Sequence, residues 1–264
     1  MRSRCRLGAL VLGLALSGGA AAEEDARPLT RDEVQERWHS RLDGRHFVAR
    51  IRMRVDLGGL LEDRWLTVHR TDHDTAAERV LIRFDAPPAL RNLGLLYFEQ
   101  SDRPNDYFLY RPAVRRVRRL HEATVRDNLY GIDPEFLGFG IARSEPTRVE
   151  AMEVVRIGER ASYRILERAR LDNRRFEERI VWLDRATFIP LRTVHRLDGR
   201  TVLRAETLEI DEVQGIPTPR RMRFERPVDG TRVDLAVEAV DYAAEIPEEV
   251  FSIFELTRGR SHAP

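Results

Sequence analysis

A mainly β protein built on one large, strongly curved antiparallel sheet or barrel is the fold class this sequence predicts, on three observations. From Phe47 onward apolar residues recur with period two, as pleated strands require. The pairs Gly58-Gly59, Asp198-Gly199 and Asp229-Gly230 punctuate those runs as hairpin turns do. Only two or three short stretches carry a helical pattern.

The elements follow in order. Thr30 with Glu33 forms a capping box for a helix running to about Leu42, with Val34, Trp38 and Leu42 on one stripe. Phe47, Ala49, Ile51, Met53 and Val55 then alternate with arginines, and Val80, Ile82 and Phe84 repeat the pattern. Further strands are expected at Trp65–Arg70, Leu93–Phe98, Tyr107–Arg111, Arg148–Ile157, Ala161–Arg168, Phe176–Leu183, Leu191–Leu197, Val202–Ile210, Arg220–Glu225 and Thr231–Tyr242. Roughly eleven short strands with so few helices fit a single curved sheet. Besides Thr30–Leu42, the helical candidates are Asn128–Gly138 and Pro247–Phe251. Arginines at alternate positions, Arg50, Arg52, Arg54, Arg83, Arg179 and Arg192, predict one solvated face, so the other must be covered by helices, a second sheet or a ligand. A long curved sheet with so little cover tends to leave an apolar cavity.

The segment Asp106–Arg119 combines two chemistries. Tyr107 and Leu109 fall on one side of an extended chain and Phe108 and Tyr110 on the other, so this strand is covered on both faces or meets an apolar ligand. Pro112 interrupts the ladder. Beyond it Arg115, Arg116, Arg118 and Arg119 gather around Val117, a surface suited to phosphate or carboxylate groups.

Compartment is read from the first residues. Arg2, Arg4 and Arg6 precede an apolar stretch from Leu7 to Leu16, and Ala20-Ala21-Ala22 supplies small residues, a pattern that predicts a secretory leader 1–22 cleaved after Ala22 and one domain over 23–264. The apolar run is too short to span a bilayer. The only cysteine, Cys5, lies in that leader, so cysteine nucleophiles, disulfides and thiolate metal sites are not expected in the mature chain. All 45 basic residues are arginine against 44 acidic ones, and loss of Arg2, Arg4 and Arg6 leaves 42, a net charge of −2. Nothing here points to nucleic acid.

Catalytic patterns are absent as well. The seven histidines are scattered, and only His69 and His73, with Asp72 and Asp74 beside His73, have metal-ligand spacing; they fall in what reads as a polar turn. No Gly-x-Ser-x-Gly, His-Glu-x-x-His or phosphate-cradling loop occurs. The expectation is a binding protein, not an enzyme, without cofactor or metal.

Arg91–Phe98, the run Tyr107–Arg119 with its Pro112-Ala113-x-Arg115-Arg116-x-Arg118-Arg119, and the ending Val233–Tyr242, Ile246-Pro247-Glu248-Glu249-Val250-Phe251 together resemble the outer-membrane lipoprotein-sorting protein family, periplasmic relatives of the carrier LolA. One stretch departs from that family, Asn128–Gly138 standing where a Phe-x-Gly-Ser/Thr-Asp-Phe motif is usual. The resemblance implies an open half-barrel with helices on its concave face, working as a monomeric carrier of a lipid or acylated protein. Its partners would be an inner-membrane exporter or an outer-membrane acceptor. A periplasmic sensor or adaptor that binds a protein through the same domain is the alternative. On this reading Trp65, Phe84, Phe98, Tyr107, Leu109, Phe136, Leu137 and Trp182 line the lipid site, and Arg115, Arg116, Arg118 and Arg119 receive a partner or headgroup. The helix from Thr30 and the loop Leu129–Phe139 would be its lids.

Overall fold

The computed structural model describes residues 29–40, 46–71, 78–100, 103, 105–121, 147–170 and 176–258. Helix α1 spans Arg31–Ser40. Thirteen strands follow: β1 His46–Leu57, β2 Leu61–Thr71, β3 Arg79–Ala86, β4 Gly94–Phe98, β5 Asp106–Arg111, β6 Arg116–Leu120, β7 Thr147–Ile157, β8 Arg160–Ala169, β9 Glu178–Asp184, β10 Pro190–Leu197, β11 Arg200–Val213, β12 Ile216–Arg226 and β13 Thr231–Asp241. A 3-10 turn, Glu248–Phe251, leads into helix α2, Ile253–Arg258. The strands form one open antiparallel sheet in the order β6-β5-β4-β3-β2-β1-β13-β12-β11-β10-β9-β8-β7. Two meanders are thus joined along the seam where the last strand pairs with the first, Met53 opposite Leu235 and Val55 opposite Val233.

Alternation builds the core directly. Phe47, Ala49, Ile51, Met53 and Val55 point to one face and are fully buried with Leu66, Val68, Ile82, Leu95, Leu235 and Val237. We call this the inner face, because Trp38 of α1 packs on it. Arg50, Arg52 and Arg54 point to the other face, where cross-strand pairs such as Arg54 with Asp63 and Arg223 with Asp234 cover the sheet. Such exposed pairs contribute about 0–1 kcal/mol each.

Two expected outer arginines behave otherwise. Arg179 pairs across the ladder with His195 and lies on the inner face, bonded to Glu167 at 2.5 Å. Arg83 does lie on the outer face but is buried, because a second apolar layer forms there: Leu81, Leu96 and Tyr110 pack with Phe251 and Leu256. Aromatic residues on both sides of β5 therefore have cover on both sides. The C-terminal segment supplies the outer one, so α1 and α2 occupy opposite faces. Arg83 donates to the carbonyls of Glu255 (2.8 Å) and Leu256 (3.3 Å), satisfying the end of α2 with a cation. Burial works against its charge, while Glu255 and then Asp85 favour it.

Close approach explains Gly94, since a Cβ there would stand 2.6 Å from Leu256 Cδ1. Gly94→Ala is therefore expected to lower stability by about 1–3 kcal/mol, read as a shift of the urea midpoint with unchanged slope. An unchanged midpoint would show that Leu256 can turn aside at no cost.

Strand β6 is the element that the sequence reading did not separate, and the reason is local. Pro112–Val114 forms a 3-10 turn, Arg115 adopts the left-handed conformation (φ 48°), and the chain folds straight back on β5. Four arginines in five residues masked a strand whose only buried residue is Leu120.

Candidate functional site

The sheet and α1 enclose a cleft. Trp38 reaches down onto β9 to β12, where Val181, Ile189, Ala205, Met222 and Phe224 supply an apolar lining. Period two puts these side chains together, because Val181, Ala205 and Phe224 sit on paired strands at inward positions. Its free volume is about 70 Å³. One water needs about 10–15 Å³ on that measure, so the cleft holds a handful of water-sized groups and not a long acyl chain. At one end Arg179 lies 5.8 Å from the ring of Trp38 and 5.7 Å from that of Phe176, and Phe176 packs on His195 at 4.3 Å between ring centres. Its charge is balanced by Glu167, and the lining is mainly apolar, with Thr193, His195, Glu206 and Thr207 as its other polar members.

The residues expected to line a lipid site divide by strand parity. Phe84, Tyr107 and Leu109 share the inner face and belong to the core that runs from β1 to β6 and back across β12 and β13. Trp65, Phe98 and Trp182 stand on the outer face. Trp65 is opposite Arg52 and donates from Nε1 to Glu238 (3.3 Å). Phe98 meets Phe108 edge to face beside the C-terminal cover. Trp182 lies between the guanidinium groups of Arg164 and Arg192 on flanking strands, each 5.7 Å from its ring. Phe136, Leu137 and the whole candidate lid Leu129–Phe139 fall outside the described residues. Sequence reasoning missed Val181, Ala205 and Met222; their signal was the inward phase of Thr193 and His195, ambiguous because those two residues are polar.

The arginine cluster is also split. Arg116 and Arg118 face inward beside Arg111, and Leu109 lies directly opposite Arg118. Arg119 faces outward and pairs with Asp106, which Arg103 also contacts at 2.6 Å. Arg115 occupies the turn. Among the described residues Arg111, Arg115, Arg116 and Arg118 have no carboxylate partner. The apolar inner face thus ends at a cationic edge strand.

Hydrogen bonding by Arg103, then by Arg119, holds the Asp106 carboxyl below the usual carboxylate range, against the opposing effect of burial. A carboxylate depressed in the folded state adds stability above its unfolded value, near 3.9, and this is lost as pH falls through the lower folded value. Arg119→Gln should therefore reduce stability by less than about 1 kcal/mol at neutral pH and shrink the loss between pH 4 and acid. Arg116→Gln should leave the acid limb of a pH–stability curve as it is.

His69 lies within β2 and is buried, not in a polar turn; His73 falls outside the described residues. Among the described residues no cluster of metal-ligating side chains forms, and no helix is long and apolar enough to cross a membrane.

An open antiparallel sheet with a helix over an apolar inner face defines the LolA-like half-barrel class. The model of a family described as "Uncharacterized protein"-like matches residues 76–258, and the chain belongs to that family. Solved structures agree on the fold. A DUF1329 family protein from Desulfovibrio piger superposes with TM-score 0.76 at 17% identity, covering 85% of this chain and 96% of that one. An outer membrane lipoprotein-sorting protein domain from Vibrio parahaemolyticus gives 0.73 at 18%, covering 86% and 97%. A LolA superfamily protein from Nitrosomonas europaea gives 0.64 at 14%, covering 86% and 100%. No curated protein matches the sequence.

Proposed function

We propose that the chain is a periplasmic carrier that holds a lipid, or the acyl chain of a lipoprotein, under α1 against the inner face. Its mature form would be a single domain over residues 23–264 that passes cargo between an inner-membrane exporter and an outer-membrane acceptor. The observation that carries this reading is the apolar cleft between Trp38 and strands β9 to β12.

The size of the cleft sets the mechanism. A long acyl chain needs more room than about 70 Å³, so loading requires α1 to move outward. Exposing Val34, which is fully buried, and half-buried Trp38 costs about 1.5–3 kcal/mol each. Burying an acyl chain returns about 0.8 kcal/mol per methylene, on the order of 10 kcal/mol for a long one. Cargo therefore opens the helix. Reclosure of α1 opposes binding by up to about 6 kcal/mol, and a membrane partner that favours the closed state draws on that difference to release cargo.

Organic extraction of the natively purified protein followed by lipid mass spectrometry tests the proposal, with bound lipid the expected result. A well-folded protein that carries no lipid and takes up no fluorescent fatty acid would remove it. Recovery instead of a stable protein partner would favour the sensor or adaptor. N-terminal sequencing of the periplasmic fraction should start at Glu23; an intact chain beginning at Met1 in the inner membrane would contradict the assigned compartment.

A further inference from the structure

One margin of the sheet carries exposed apolar side chains that none of the described residues covers. Antiparallel order brings the last residues of β1, β3, β5 and β12 to the same margin. The turn between β1 and β2 presents Leu57, Leu60 and Leu61 there, and the neighbouring turn between β12 and β13 presents Val228, with exposures from 47% at Leu57 to 74% at Val228. The two turns adjoin, because Leu57 pairs with Thr231.

These tips are held in shape. Leu57 N–H bonds to the Leu60 carbonyl at 3.0 Å, Gly59 N–H to Asp56 Oδ1 at 2.7 Å, and Gly230 N–H to the Arg226 carbonyl at 2.9 Å. Gly58 and Gly59 have φ of 68° and 102° with no heavy atom near their Cβ positions, so the turn projects into open space. The backbone of the turn is fixed with its leucines exposed.

Charge appears at the same margin. The β5 to β6 turn lies four strands from the leucine hairpin, about 19 Å at the usual strand spacing. It presents Val114, half exposed, together with Arg111, Arg115 and Arg116, whose guanidinium groups have no carboxylate partner among the described residues. Separate convex tips, apolar at one end and cationic at the other, match no compact protein footprint, which is a contiguous patch of about 800 Å². They fit an extended surface that accepts apolar groups at any point and carries negative charge throughout.

We propose that this margin docks on an anionic phospholipid bilayer, with Leu57, Leu60, Leu61 and Val228 entering the interface and Arg111, Arg115 and Arg116 meeting lipid phosphates. Contact of this kind is peripheral: insertion scales with the apolar area buried, and electrostatic attraction adds to it and is screened by salt. It goes beyond the carrier reading and does not depend on what the cleft holds.

The test is flotation of the periplasmic protein with phosphatidylcholine vesicles, with and without phosphatidylglycerol, at low and high salt. Expected is strong binding to the anionic vesicles that weakens with salt. The variant Leu60→Ser/Leu61→Ser/Val228→Ser should bind both vesicle types about tenfold more weakly. Arg115→Gln/Arg116→Gln should lose roughly 25-fold on anionic vesicles, about fivefold per arginine, and nothing on neutral ones. All these side chains are exposed, so circular dichroism and the thermal midpoint should match the parent. Absence of binding by folded parent protein would overturn the proposal, as would binding that both variants retain. Because retention in the cleft is read separately by lipid extraction, a failed flotation with bound lipid still present rejects the docking surface alone.

Discussion

Ala205→Phe is expected to abolish cargo binding while leaving the fold intact. Ala205 lies on β11 between Thr193 on β10 and Phe224 on β12, and its methyl group points into the cleft below Trp38. A phenyl ring there takes up most of the free volume of about 70 Å³. If the cleft accommodates four or five methylenes of an acyl chain, filling it removes about 3–4 kcal/mol of burial, a loss of 100-fold or more in affinity. Because the ring enters open space and not packed core, the thermal midpoint should move by no more than about 3 °C. Titration of a fluorescent fatty acid into both proteins measures the effect. Wild-type affinity in the variant would place the cargo elsewhere on the molecule. Thr193→Val, which removes a polar group from the same wall at constant size, should bind at least as tightly as the parent.

Leu256→Ala is expected to produce the largest loss of stability. Leu256 is fully buried and seals the outer layer formed with Leu81, Leu96, Tyr110 and Phe251. Truncating such a residue costs about 2–5 kcal/mol, the upper part of the range applying where neighbours cannot collapse into the space. Here the floor of the site is sheet backbone at Gly94, which cannot. The loss extends to Arg83: once the carbonyls of Glu255 and Leu256 withdraw, a buried guanidinium is left without its acceptors. Denaturation in urea should show this as a lower midpoint. A change under 1 kcal/mol would mean that the C-terminal segment sits on the sheet without supporting it. Cargo binding in Leu256→Ala should survive under conditions where the protein remains folded, since the cleft lies on the other face.

Fold class and the inward phase of most strands were legible in the sequence, because period two and hairpin glycines are local signals. The alternation of Phe47 through Val55 with arginines determined by itself which residues of β1 would be buried. The double-sided apolar pattern of β5 likewise determined that both of its faces would be covered. What covers them was decided by tertiary structure, since a strand does not record whether a helix, a sheet or a ligand stands opposite. Trp65, Phe98 and Trp182 show the limit: each is large and apolar and sits in a strand, yet one residue of phase puts it on the outer face, where Trp182 meets two arginines. Arg179 shows the converse. It reads as a solvated strand arginine, but parity turns it inward, where Glu167, directly opposite it on the adjacent strand β8, neutralises it. The four arginines after Pro112 were visible as a group, and only the reversal at Arg115 determined that Arg116 and Arg118 face in while Arg119 faces Asp106. Local periodicity fixes the phase of a strand within itself; the neighbour that each face meets is set by pairings distant in sequence, whose energy no short window contains.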